Sequence, residues 1–262
     1  MKLYHRVFGE GDSPVVLLHG VFGSSVNWQP IARALATAHR VVTVDLRNHG
    51  RSPHAPAMTY ADMVADLLEL FRDLELERPH VLGHSMGGKV AMALALEHGH
   101  AVDRLVVADM APAANTFRPS AILAALRDLD LEALNSRSDA DAELAKAIPE
   151  RRIRAFLLQN LVRDDDGFHW RINLDALDRH GRELADFPSP YRDATFEGPT
   201  LFLRGEHSDY VLPDHQEVIR HLFPAARIHT LKDTGHWLHA EAPERFATVV
   251  RDFLDAPASR NS

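Results

Sequence analysis

The stretch His80-Val81-Leu82-Gly83-His84-Ser85-Met86-Gly87-Gly88-Lys89 decides the reading of this chain. A short aliphatic run stops at Gly83, a Gly-x-Ser-x-Gly pattern follows, and a helical pattern covers residues 89–97. Alone, Gly-x-Ser-x-Gly is a weak signal; between a strand and a helix it is a strong one. A serine on so tight a strand-to-helix turn has a strained backbone, and the helix passes close to the strand, so its neighbours must be small. Gly83, Gly87 and Gly88 meet that need. Such a turn lifts the Ser85 hydroxyl off the carboxyl edge of a sheet and aims the Met86 N–H at any oxyanion forming there. Ser85 is therefore the candidate nucleophile. The competing reading is a glycine-rich turn with an incidental serine.

Similar runs recur outward from this turn. Val15-Val16-Leu17-Leu18 ends at His19-Gly20, Arg40-Val41-Val42-Thr43-Val44 at Asp45, Leu105-Val106-Val107-Ala108 at Asp109, and Thr200-Leu201-Phe202-Leu203 at Arg204-Gly205. Continuous apolar runs of this length fit strands buried on both faces of a parallel sheet. Residues 3–8 read as an edge strand. Met63, Val64, Leu67, Leu68, Phe71 and Leu74 lie on one helical face between strands. Strand–helix alternation predicts an α/β fold. It breaks between Pro112 and Gly198, where the chain becomes helical and charge-rich and Asp164-Asp165-Asp166-Gly167 reads as a turn between helical segments. Residues 113–196 are expected to form a helical insertion on a core made of 1–112 and 197–262.

A nucleophilic serine needs a base and a second oxyanion donor. His19-Gly20-Val21-Phe22-Gly23 follows a central strand and fits the donor loop, with the Val21 N–H as first candidate and Phe22 beside it. Gly235-His236-Trp237 follows the run 227–231 and precedes the closing helix 243–254, so His236 can reach Ser85 from its loop. Two carboxylates compete to orient it. Asp109 closes its strand, at the sheet edge where reacting groups gather. Asp209 lies inside the loop after Gly205, next to Ser208.

Together His19-Gly20, Asp45-Leu46-Arg47-Asn48-His49-Gly50-Arg51-Ser52, Gly83-His84-Ser85-Met86-Gly87-Gly88-Lys89 and Gly235-His236-Trp237 resemble the α/β-hydrolase family, in its order and nearly end to end. Within it, Arg47-Asn48-His49-Gly50, Gly88-Lys89 and Trp170-Arg171-Ile172-Asn173 are similar to the small serine esterases related to bacterial YbfF. The resemblance implies a mostly parallel sheet flanked by helices, with the insertion as a helical cap. It further implies cofactor-free hydrolysis of short-chain carboxylic esters or thioesters through an acyl-enzyme. Many relatives carry an acid where this chain has Ser208. The YbfF-like esterases resemble it there too, and use the earlier acid with a helping serine. That implies Asp109 as acid and Ser208 as auxiliary, with Asp209 the alternative. Phe22 and Trp237 flank the reacting groups and are the expected substrate contacts. Carbon–carbon bond hydrolysis, perhydrolysis and a non-catalytic ligand receptor remain as rivals on the same residues.

Composition excludes other classes. With 262 residues, 45% hydrophobic and 25% charged, the chain can bury a sizeable core. Its net charge of −8 lacks the basic surplus of a nucleic-acid reader. No apolar run approaches the roughly 18 residues of a membrane helix, and no apolar stretch backs the charges of the first six residues. The cytoplasm is the expected compartment. The absence of cysteine removes disulfides and thiolate chemistry. Seventeen histidines invite a metal reading, yet no His-Glu-x-x-His occurs and the close pairs lack a carboxylate at ligand spacing, so no metal or cofactor is expected. Phe117, Phe156, Phe168 and Trp170 in the insertion are either helix core or pocket lining.

Overall fold

The computed structural model describes residues 1–115, 120–191 and 193–257, which leaves Phe117 outside. In chain order the strands are β1 (His5–Phe8), β2 (Pro14–Leu18), β3 (Arg40–Val44), β4 (His80–His84), β5 (Leu105–Ala108), β6 (Leu161–Asp164), β7 (Gly167–Trp170), β8 (Thr200–Gly205) and β9 (Ala226–Leu231). The helices are α1 (Gln29–Leu35), α2 (Tyr60–Asp73), α3 (Met86–Glu97), α4 (Ser120–Arg127), α5 (Arg137–Leu144), α6 (Arg151–Leu157), α7 (Leu174–Ala185), α8 (Gln216–Leu222), α9 (Leu238–Glu241) and α10 (Pro243–Leu254). Seven strands form one sheet in the order β1-β3-β2-β4-β5-β8-β9, parallel except for β1, which runs antiparallel along the edge of β3.

Successive strand residues face opposite sides of a sheet, so an unbroken apolar run needs cover on both. Val16 and Leu18 pack into the cluster that holds α2 and α3. Val15 and Leu17 pack into the cluster that holds α1 and α10. The order places β3 and β4 on opposite sides of β2, so the chain reverses its direction across the sheet there. Crevices at the carboxyl ends of strands around such a switch point are where open α/β sheets bind ligands. Gly83 of β4 lies opposite Leu18 of β2, and His84 opposite Ala108 of β5. Ser85, Asp109 and the 19–23 loop therefore leave the same edge side by side.

The segment between β5 and β8 adds no strand to this sheet. Its 164–167 turn differs from the sequence reading: it closes the antiparallel hairpin β6–β7 rather than joining helices. Asp165 and Asp166 form a two-residue loop and Gly167 takes φ 112°, the backbone freedom that tight hairpins need. Leu161 continues the helical spacing of Leu157, which masked the strand.

Motifs that the sequence reading matched as text meet in space here. Asn173 donates from its backbone N to the Asn48 carbonyl and from Nδ2 to Asn48 Oδ1, both at 3.0 Å. Lys89, fully buried on α3, donates to the carbonyls of Ala185 and Asp186 at 2.8 and 2.9 Å, at the C-terminal end of α7. A cation suits that end of a helix. Burial nonetheless pushes the Lys89 ammonium down to about 7. Between about pH 7 and 10.5 the unfolded chain then binds the proton that the folded one has lost, so Lys89 makes stability rise with pH in that window. Against Lys89→Met, wild type is expected to gain up to about 1.4 kcal/mol per pH unit there. Paired urea denaturation at pH 6, 8 and 10 checks this; a stability difference that stays flat would refute it.

Candidate active site

Ser85 is the hinge between β4 and α3, at φ 54° and ψ −118°. A positive φ is costly for a residue with a Cβ and persists only where the surroundings over-determine it. The over-determination is steric. A Cβ on Gly83 would stand 2.1 Å from the Gly87 carbonyl oxygen, and one on Gly87 would stand 2.5 Å from those of Leu18 and His19. Only glycines let the helix turn this tightly off the strand. As the first residue of α3, Met86 carries an N–H without an intrahelical acceptor. Among the described residues neither it nor the Val21 N–H has a backbone acceptor. Phe22 and Asp109 share the positive φ, at 61° and 52°.

Asp109 is fully buried at the end of β5, its N–H donating to the Leu203 carbonyl at 2.7 Å. Its carboxylate accepts from three donors: Gly205 N on Oδ1 at 2.9 Å, His236 Nδ1 on Oδ2 at 2.7 Å, and the Ser208 hydroxyl, also on Oδ2. Asp209 is exposed and makes no hydrogen bond to His236. The structure thus brings Asp109 and Ser208 together with His236, and leaves Asp209 out.

The His236 loop is set from both sides. Gly235 N donates to Glu241 Oε2 at 2.6 Å, and His84 Nε2 donates to the His236 carbonyl at 2.8 Å. The Tyr210 ring stacks on the imidazole, with centroids 3.9 Å apart and planes at 19°. Burial pushes the Tyr210 phenol up to about 12, so it remains neutral. Burial likewise pushes His84 well below the usual histidine range and His239 down to about 3. The rings packed around His236 are therefore uncharged, and its Nδ1 meets a carboxylate. With Nδ1 bound as a donor, Nε2 is the free acceptor, as a general base requires.

The sequence reading missed Tyr210, His84 and Glu241 as supports of His236. Only His84 carried a signal, its place inside the glycine–serine turn. His19, beside the donor loop, is structural: Nε2 accepts from Leu46 N at 3.0 Å and Nδ1 donates to the Gly20 carbonyl at 2.8 Å. That pattern needs a neutral ring, and burial lowers its proton affinity accordingly.

Ser85 and His236 line a single cavity of about 360 Å³ with Val21, Phe22, Met86 and Trp237. Their mutual hydrogen bond is not closed; such bonds commonly tighten only with substrate in place. Ile122, Ile153, Phe156 and Leu177 of the insertion form the facing wall, and among the described residues no Asp, Glu, Lys or Arg lines the cavity. Phe168 and Trp170 do not reach it. Phe168 lies under Arg163, and Trp170 Nε1 donates to the Leu126 carbonyl. The possible metal-ligating group Glu206, His207 and Asp233 is exposed and lines no part of the cavity.

Known proteins resemble this chain over nearly its whole length. Residues 13–243 match the family described as alpha/beta hydrolase fold. The chain is 41% identical to sn-1-specific diacylglycerol lipase ABHD11 of Danio rerio, over 97% of this chain and 83% of that protein. It is 35% identical to Esterase YbfF of Escherichia coli (strain K12), over 93% of this chain and 94% of that protein. A solved structure described as a marine microorganism esterase superposes with a TM-score of 0.93 at 37% identity, covering 96% and 99% of the two chains. With the family model spanning residues 13–243 and a relative 41% identical over 97% of the chain, this chain belongs to the α/β-hydrolase family.

Proposed function

We propose that this chain is a carboxylesterase-type serine hydrolase that cleaves short-chain carboxylic esters, or the related thioesters, through an acyl-enzyme. The observation that carries the reading is His236 Nδ1 bound to the buried Asp109 carboxylate, with Ser85 on the same apolar cavity wall. Ser85 Oγ attacks the ester carbonyl carbon while His236 Nε2 takes its proton. The Met86 and Val21 N–H groups receive the tetrahedral oxyanion. Protonated His236, held by Asp109, then gives the proton to the departing alcohol. Water enters, loses a proton to the same nitrogen and releases the acid, restoring Ser85. Ser208 supports the pair as a hydroxyl donor to Asp109, beside the Gly205 and His236 N–H groups. Phe22 and Trp237 contact the substrate. Residues 113–196 act as a cap, whose apolar side chains meet the acyl group.

Relatives named esterase and diacylglycerol lipase support ester chemistry. The chain-length preference comes from the cavity. Its roughly 360 Å³ sits near the lower end of the range of about 300–1,000 Å³ for small-ligand sites, and a lining that among the described residues holds no Asp, Glu, Lys or Arg fits a neutral acyl group. Steady-state kcat/KM for chromogenic acetyl, butyryl, octanoyl and palmitoyl esters is the test. The maximum is expected at acetyl or butyryl, with palmitoyl more than about tenfold lower because its outer methylenes find no pocket. A maximum at palmitoyl would overturn the preference, and no turnover of any of these esters or of the matching thioesters would overturn the function.

A further inference from the structure

The loop that carries Val21 is gripped by the insertion. The 20–23 turn is closed by Gly23 N donating to the Gly20 carbonyl at 2.9 Å. Its third residue, Phe22, has φ 61°, while Val21 is not in the positive region. That is the pattern of a type II turn, which favours glycine at its third position. A phenylalanine there needs an external hold. Part of the hold is Asn160, in the short Leu158–Asn160 turn that follows α6. It is buried, and its Nδ2 donates to the Phe22 carbonyl at 2.8 Å and to the Leu157 carbonyl at 3.3 Å. Asn160 is itself pinned, its own carbonyl accepting from Arg171 N at 2.8 Å. A second link lies beside it, from Asn27 Nδ2 to Gln159 Oε1 at 2.9 Å.

We propose that Asn160 is a positioning residue of the oxyanion hole: by binding the Phe22 carbonyl from the insertion, it keeps the 20–23 turn in the shape that presents the Val21 N–H to the reacting carbonyl. The inference rests on the reading of Val21 and Met86 as the oxyanion donors. Without Asn160, Phe22 relaxes towards negative φ and the 20–23 turn changes type; the adjoining Gly20–Val21 peptide, which carries the Val21 N–H, shifts with it, and that donor loses its alignment with the reacting carbonyl. The oxyanion exists only in the transition state and the tetrahedral intermediate, so the loss falls on kcat and spares KM.

The test compares wild type with Asn160→Leu, an apolar near-isostere, and with Asn160→Ala should the first not fold. For each, kcat and KM for a butyryl ester are measured beside the affinity for an alkylboronic acid, which forms a tetrahedral adduct on the serine. A fall in kcat of about thirtyfold is expected, short of the hundredfold or more that follows loss of a whole donor. KM should stay near its wild-type value while boronic acid affinity weakens in step with kcat. Phe22→Gly supplies the second readout, because glycine adopts the positive φ unaided. In that background removing the Asn160 amide should cost clearly less, a coupling that a merely structural role would not produce. Wild-type kcat in the Asn160 variants, unchanged boronic acid affinity, or an equal cost in both backgrounds would each overturn the positioning role. Failure of wild type itself to turn over esters or bind the boronic acid would instead overturn the functional reading beneath it.

Discussion

Ser85→Ala is expected to lower kcat for ester hydrolysis by about 10⁶-fold, the loss seen when a serine hydrolase is deprived of its nucleophile. The hydroxyl is the atom that forms the bond, and among the described residues the only other hydroxyl on the cavity wall is the Tyr210 phenol, which burial keeps protonated; the remaining side chains are apolar, indole, amide or imidazole. The fold should survive. Alanine keeps the Cβ, so the strain at φ 54° is unchanged, and the close contacts at Gly83 and Gly87 involve backbone alone. A melting temperature near wild type, together with lost labelling by an active-site phosphonate, would complete the result. A variant that kept more than a small fraction of its rate while folded would remove Ser85 from the mechanism.

What made the fold legible was burial on both sides of the sheet. Val15 to Leu18 and Leu105 to Ala108 have no polar face because helices cover them twice, so each strand shows as an unbroken apolar run. Ser85 was legible because steric need writes itself locally: its flanking glycines lie within two residues. Asp109 was legible by position, as the residue that closes a strand. The supports were not. Asn160 meets the Phe22 carbonyl 138 residues away, and Tyr210 stacks on a histidine from another loop. Neither contact leaves a pattern in its own neighbourhood, because both are set by how the insertion and the loops settle over the sheet edge. The β6–β7 hairpin was hidden for a different reason, since Leu157 and Leu161 fit a helical spacing as well as the chain's actual change of structure.

Asp109→Asn is expected to lower kcat by about 10⁴-fold, as when the aspartate of a catalytic triad becomes an amide. The hydrogen bonds show why so small a change costs so much. Oδ2 accepts from both His236 Nδ1 and the Ser208 hydroxyl, and Oδ1 accepts from Gly205 N. An amide has one oxygen and one NH₂ group. If the NH₂ takes the Oδ2 place, it faces the Nδ1 proton, and the imidazole must shift that proton to Nε2, the nitrogen that has to receive the one from Ser85. If it takes the Oδ1 place, it confronts Gly205 N–H in a fully buried site, which also displaces the turn after β8. Both arrangements remove the negative charge that stabilises protonated His236. Ser208→Ala deletes one donor to Asp109 and should cost about tenfold, in line with a hydrogen bond to a charged group. Asp209→Asn alters an exposed side chain with no bond to His236 and should stay within about twofold of wild type. Were Asp109 only a cap on the end of β5, its replacement would lower the melting temperature and leave kcat nearly intact. Parallel kcat and thermal-melt measurements on the three variants separate these roles, and a larger kcat loss in Asp209→Asn at equal folding would transfer the role of acid to Asp209.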